Sequence, residues 1–359
     1  MVTTEVLLLS GGGLLITPGD PEALSRGRQQ QASPVDGFFV CLLSAQTRWA
    51  RRDVLFCDNF AYIQQSLILL LVMMKQFPLW LAAVSVMFAG CVQSIAVSTV
   101  GGIVDEGFSA FTEEDDLAFA EQALPGNLKL LDVMLKSEPE NERLLRLASE
   151  GYSSYALAFL EEESPDRARS FYLRGRDYGL RLLRQQEDIA KALDGSPDDL
   201  RAALAEQDRD LAPAAFWTAF GWGGYINITL TSPDAIADLP RAEALMAFVA
   251  EHDSSYYFGG ADLFLGALYG SRPKLLGGDA EKSRAHFERA LRLNEGKFLM
   301  THVYYARSYA VQTQDEVLFE ELLTAVEETP LDVLPDYRLA NAVAKEKAAR
   351  LLARKSELF

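Results

Sequence analysis

Asp279-Ala280-Glu281-Lys282-Ser283-Arg284-Ala285-His286-Phe287-Glu288-Arg289-Ala290-Leu291-Arg292-Leu293 carries the pattern of a capped, amphipathic helix. Ser283, Phe287 and Ala290 follow one another at helical spacing and so share one face. Asp279 stands where an N-cap is needed, because its carboxylate accepts an orphan backbone N–H of the first turn. Upstream, Leu265-Gly266-Ala267-Leu268-Tyr269 supplies a partner helix. Small residues facing an aromatic let two helices approach closely while the ring fills the space between them. The pair therefore reads as a helical hairpin.

The same signals recur along the chain. Ser164-Pro165-Asp166, Ser196-Pro197-Asp198 and Ser232-Pro233-Asp234 each place a capping hydroxyl, a helix-starting proline and a first-turn acid in order. Thr112 with Asp115 reads as a variant capping box, and Asp315 as a further cap. Pro125, Pro139, Gly195, Pro240, Gly277-Gly278, Gly296, Pro330 and Pro335 read as breaks between helices. No stretch keeps strand alternation, so the predicted fold is all-α, with about a dozen helices over residues 111–359. Leu265, Gly266 and Tyr269 on one helix, with Ser283, Phe287 and Ala290 on the next, match the packing positions of a tetratricopeptide repeat. Weaker units centre on Ala168, Tyr172 and Gly175 and on Phe319 and Leu322. The expectation is a tetratricopeptide-like solenoid, with a generic helical bundle as the alternative.

Charge divides the chain. Six acids (Glu5, Asp20, Glu22, Asp36, Asp53, Asp58) balance six bases (Arg26, Arg28, Arg48, Arg51, Arg52, Lys75) up to Gly90, so the net charge of −17 sits wholly in the remaining 269 residues. Such acidity argues against nucleic acid as a partner. Residues 1–73 hold no sustained period and read as an upstream extension. From Met74 a basic start, the apolar run Phe77 to Phe88 and the small pair Ala89-Gly90 read as a signal peptide over 74–90. The run is short for a membrane span, which needs about 20 residues. Phe88-Ala89-Gly90-Cys91 resembles a bacterial lipobox, making Cys91 the expected lipidated N-terminus and 91–110 a tether. The alternative is a buried free cysteine. The lipid would hold the protein on the periplasmic face of a bacterial membrane, and Val92 after the cysteine leans toward the outer one.

Candidate sites are few. Arg167, Arg174 and Arg181 fall seven apart on one helix and form a stripe that either guides an anionic ligand or pairs with neighbouring acids on a solvated face. Trp217, Phe220 and Trp222, with Asn227 beyond them, read either as a pocket lining with a polar mouth or as core. Tyr256-Tyr257-Phe258 carries the same ambiguity. His252, His286 and His302 have no metal-ligand spacing, with His286 read at the helix surface, and neither a phosphate loop nor a nucleophile elbow is present. No catalytic residue, metal or cofactor is therefore assigned, and the reading is not an enzyme.

Several segments in order resemble the TatT family, the tetratricopeptide-like lipoproteins associated with TRAP transporters. They are Ala123-Leu124-Pro125-Gly126-Asn127-Leu128-Lys129-Leu130-Leu131; Leu144-Leu145 with Ala148, Gly151-Tyr152 and Tyr155; and Arg167-Ala168 with Tyr172, Arg174-Gly175-Arg176 and Tyr178. Phe216-Trp217, Gly277-Gly278-Asp279, Arg338-Leu339-Ala340-Asn341 and Leu358-Phe359 continue the series. The resemblance runs from about Cys91 to Phe359 and leaves the first 73 residues outside it. It implies a lipid-anchored periplasmic helical protein that docks a TRAP-family solute-binding protein and handles a small organic ligand, carboxylate or hydrophobic, without a cofactor. A general scaffold lipoprotein for envelope assembly is the alternative, and homo-oligomerisation stays open.

Overall fold

A computed structural model of the protein describes residues 107–359. The expectations for residues 1–73, for the leader 74–90 and for lipidation of Cys91 lie outside the described residues. All regular structure in 107–359 is helical, with no strand among the described residues, as the caps and breaks predict. Residues 107–112 are already helical, so helix begins inside the stretch read as a tether. The longer helices then follow as α1 (Leu117–Ser137), α2 (Glu142–Tyr155), α3 (Pro165–Leu183), α4 (Glu187–Asp194), α5 (Pro197–Leu204), α6 (Ala212–Asn227), α7 (Pro233–Ala237) and α8 (Leu239–His252). The chain continues through α9 (Tyr256–Gly270), α10 (Ala280–Leu293), α11 (Met300–Tyr305), α12 (Val311–Thr313), α13 (Glu316–Glu328), α14 (Arg338–Ala353) and α15 (Lys355–Leu358).

Local chemistry sets most of these boundaries. Ser196 and Asp199 form a reciprocal capping box on α5, Ser232 caps α7, and Asp279 and Asp315 accept from Lys282 N and Leu318 N. Ser164 makes no such bond, and Pro165 alone marks that start. Two readings are corrected. Thr112 Oγ1 donates back to Ser109 O at 2.9 Å, and the cap of α1 is Asp116, which accepts from Phe119 N at 3.0 Å. Pro125 does not break the chain but lies inside α1. A proline there removes the N–H that would bond the carbonyl four residues back. The Tyr155 hydroxyl supplies that bond instead, donating to Glu121 O at 3.2 Å.

The α9–α10 hairpin packs through Gly266, Ser283 and Phe287. Ser283 Oγ donates to Gly266 O at 2.8 Å, and a β-carbon at Gly266 would stand 3.0 Å from the Phe287 ring. Ser283, Phe287 and Ala290 are fully buried. His286, read as a surface residue, is half-buried, with Nδ1 2.6 Å from Oδ1 of the buried Asp262.

α2 and α11 each run into a π-helical turn, Ala156–Leu160 and Ala306–Ala310. Three apolar cores organise the described residues: one around α1, α2 and α3, one around α6, α8 and α9, and one around α10 to α14. The last long helix returns to the first elements. Arg338 Nε donates to Glu113 O at 2.7 Å, and Lys347 Nζ reaches Glu162 at 2.8 Å. The two ends of the helical array are thus joined, unlike the separate end caps of a linear repeat stack.

Candidate functional site

A cavity of about 310 Å³ opens where the three cores meet. Helix crossings leave space there because glycines let backbones approach while large rings stand around the gap. A β-carbon at Gly223 would lie 2.3 Å from Phe264, and one at Gly224 would lie 2.3 Å from Tyr172. The wall is mainly apolar: Phe108 and Phe111 from the first helical residues, Leu157, Phe220, Leu263 and Phe298 among others. A cavity of this size and lining suits a small organic molecule.

Tyr257 contributes to the wall from an unusual backbone. Tyr257, Phe258 and Gly259 have φ of 45°, 61° and 75°, a left-handed turn at the start of α9. Non-glycine residues rarely adopt it, at roughly 1–2 kcal/mol each. Packing over-determines it here: Phe258 stacks on Phe298 at 5.0 Å and meets Tyr337 at 4.8 Å, and Asn294 Nδ2 donates to Phe258 O at 3.1 Å.

The polar groups gather in two places. In one, Glu150 lies 3.3 Å from Arg146 Nη1, near Tyr256, Tyr257 and Tyr337. Burial pushes its carboxyl up to about 7 against the pull of Arg146. In the other, Glu161, Asn227, Tyr304, Arg307 and Ser308 line the wall. Asn227 Nδ2 donates to Glu161 Oε1 at 3.4 Å. Arg307 stands over the Tyr304 ring at 5.5 Å. Burial pulls its basicity down, but the nearby Tyr304, Glu161 and Glu162 more than offset this and raise it.

Of the residues read as ligand lining, the structure brings Phe220 and Asn227 to the cavity. Trp217 is core, donating through Nε1 to Tyr256 Oη at 3.0 Å, and Trp222 Nε1 donates to Asp238 at 3.1 Å. The arginine stripe lies elsewhere. Arg167 is exposed, Arg174 covers Tyr152 at 5.6 Å and Phe171 at 5.7 Å, and Arg181 covers Tyr178 at 5.4 Å while donating to Pro139 O. Beneath them, Tyr152 and Tyr178 both donate to Asp132, at 2.9 and 2.8 Å.

Glu150, Glu161 and Arg307 were not singled out as site residues from the sequence. One signal for Arg307 exists. Tyr155-Ala156-Leu157-Ala158-Phe159-Leu160 and Tyr305-Ala306-Arg307-Ser308-Tyr309-Ala310 are two versions of one segment, each carrying its π-turn at the same place. The π-turn is a feature frequent at functional sites, and both copies contribute to the cavity wall. No group of His, Cys, Asp and Glu among the described residues is arranged to hold a metal ion, and none of their helices is long and apolar enough to cross a membrane.

A sequence profile of the TRAP transporter T-component matches residues 113–359. An uncharacterized protein of Treponema pallidum (strain Nichols) is 25% identical over 266 residues, covering 69% of this chain and 82% of that protein. The match spans the whole helical array from just after its first turn to its last residue, and the chain belongs to the TRAP transporter T-component family.

Proposed function

We propose that this protein is a periplasmic, lipid-anchored accessory of a TRAP-type transport system that docks a solute-binding protein and holds a small organic ligand in its cavity. Family membership supports the transport role. The observation that carries the ligand role is the cavity itself, apolar in its body with a few polar groups in its wall. A scaffold acting only through its surface has no use for such an opening. The anchor rests on the Ala89-Gly90-Cys91 sequence behind an apolar run.

Co-purification of the membrane-tethered chain with the solute-binding protein of its transport system tests docking. A stoichiometric complex is expected, and its absence under tethered conditions overturns docking. Mass spectrometry of the mature N-terminus tests the anchor. A triacylated Cys91 is expected, and a native chain beginning at Met1 overturns it. Sedimentation of the same preparation gives the oligomeric state.

A further inference from the structure

Among the described residues two arginines line the cavity, and they differ in what they touch. Arg272 Nε donates to Leu268 O at 2.9 Å. The Arg307 guanidinium makes no hydrogen bond and no ion pair with any described residue; it lies over the Tyr304 ring. Five N–H donors thus stand in a largely apolar wall without an acceptor among the described residues. Arg307 is partly buried, so whatever fills the cavity has to meet these donors.

The fold does not need a charge at this position. In the first copy of the segment Leu157 occupies the place of Arg307, on the same kind of π-turn. Two copies of one backbone solution thus differ by an apolar residue in one and a guanidinium in the other, both in the cavity wall.

The same end of the cavity holds an unused acceptor. Glu161 Oε2 is buried and accepts no hydrogen bond. Lys347 Nζ lies 3.7 Å from it, beyond hydrogen-bond reach, and donates instead to Glu162 at 2.8 Å. Arg307 feels the charge of Glu161, yet the two form no ion pair. A donor set without an acceptor and a carboxylate oxygen that accepts no hydrogen bond, 3.7 Å from Lys347 Nζ, therefore share one wall. A ligand head that carries acceptor oxygens beside a donor would satisfy both.

We propose that Arg307 and Glu161 form the head-group site for an apolar-tailed 2-hydroxy or 2-amino monocarboxylic acid, with its carboxylate on Arg307 and its neighbouring hydroxyl or ammonium donating to Glu161 Oε2. The apolar tail lies along Leu157, Phe220 and Leu263. This rests on the reading of the cavity as a ligand site and names its ligand class. Guanidinium suits a carboxylate because its planar fork matches two oxygens. Glu161 rejects a second negative charge near the head, so a dicarboxylate fits poorly.

Isothermal titration of the full chain with 2-hydroxyoctanoate, 2-aminooctanoate, octanoate, octanedioate and 1-octanol tests the site. The 2-hydroxy or the 2-amino acid binds most tightly, and the tighter of the two identifies the donor. R307L, which installs the residue of the other copy, weakens the monocarboxylates about tenfold or more and leaves 1-octanol unchanged. R307Q serves as the polar control, and thermal unfolding by circular dichroism verifies that both variants fold. E161Q removes the preference for the 2-substituted acids over octanoate. Unchanged affinity of R307L for 2-hydroxyoctanoate overturns the proposal. So does wild-type binding of 1-octanol or octanedioate as tight as that of the 2-hydroxy and 2-amino acids. If 1-octanol binds and no carboxylate does, the head-group site falls while the cavity reading stands. If none of the five probes binds, the cavity reading falls with it.

Discussion

Glu150 shows how one buried carboxyl ties the cavity to pH. Its pKa rises on folding from the ordinary glutamate range to about 7, because burial outweighs Arg146. A carboxyl whose pKa is raised is protonated more readily in the folded chain than in the unfolded one. Its unfavourable contribution is therefore absent below about pH 4.5, grows through the interval and is complete above about pH 7. Stability should fall over that window, by an amount on the order of 3 kcal/mol at full titration. E150Q should flatten the fall, measured as urea midpoints at a series of pH values. An unchanged slope in E150Q would assign it to other groups. Asp132 acts in a separate, more acidic window. Burial raises its pKa, but hydrogen bonds from Lys129, Tyr178 and Tyr152 more than offset this, so the stability it lends is lost as pH drops through the carboxylate range. At this scale the sequence was legible in part. The seven-residue spacing of Arg167, Arg174 and Arg181 does put them on one face, but spacing alone does not say what that face meets. It meets Tyr152, Phe171 and Tyr178. Arg307 sits in a run of tyrosines and alanines that reads as core, and only the convergence of three cores leaves it facing a cavity.

Pro125 interrupts the hydrogen bonding of α1 without ending the helix. Its missing N–H leaves Glu121 O without its helical partner, and Tyr155 Oη fills the place from the next helix. The two residues should therefore be coupled. Y155F should destabilise the wild type by about 1 kcal/mol and do so far less in a P125A background, where the alanine N–H bonds Glu121 O. A double-mutant cycle in urea reads the difference, and additive effects would refute the compensation. Phe287 anchors another pair. It is fully buried against Gly266 and stacks on Tyr305 at 4.8 Å, so F287A should cost about 3–5 kcal/mol, visible as a lower thermal midpoint. Caps were the most legible feature, since Ser196, Asp279 and Asp315 act within three residues of themselves. Pro125 was misread because its rescue comes from a hydroxyl 30 residues away in the chain. The left-handed turn at Tyr257 and Phe258 was not readable, because long-range ring packing against Phe298 and Tyr337 sets it rather than local preference.

Closure of the whole array depends on contacts between residues far apart in sequence, and Lys347 is the most buried of them. Its side chain is 7% exposed and sits between Glu161, at 6%, and Glu162. Arg350 adds bonds to Glu162 and Glu163 nearer the surface, at 2.9 and 2.8 Å. These groups join α14 to the segment between α2 and α3, behind the cavity end that holds Arg307. A buried ion pair is weak evidence of net stabilisation, but removing one partner strands the other charge. K347M should therefore lower stability by about 3–5 kcal/mol. E161Q and E162Q added to K347M should restore part of it, because the stranded carboxylates, rather than the lost lysine contacts, make the change unfavourable. Urea unfolding of the single and triple variants measures both steps. A K347M midpoint equal to that of the wild type would mean that apolar packing of α14 closes the array without this pair. Arg338 bonding Glu113 O would then be the contact to remove next.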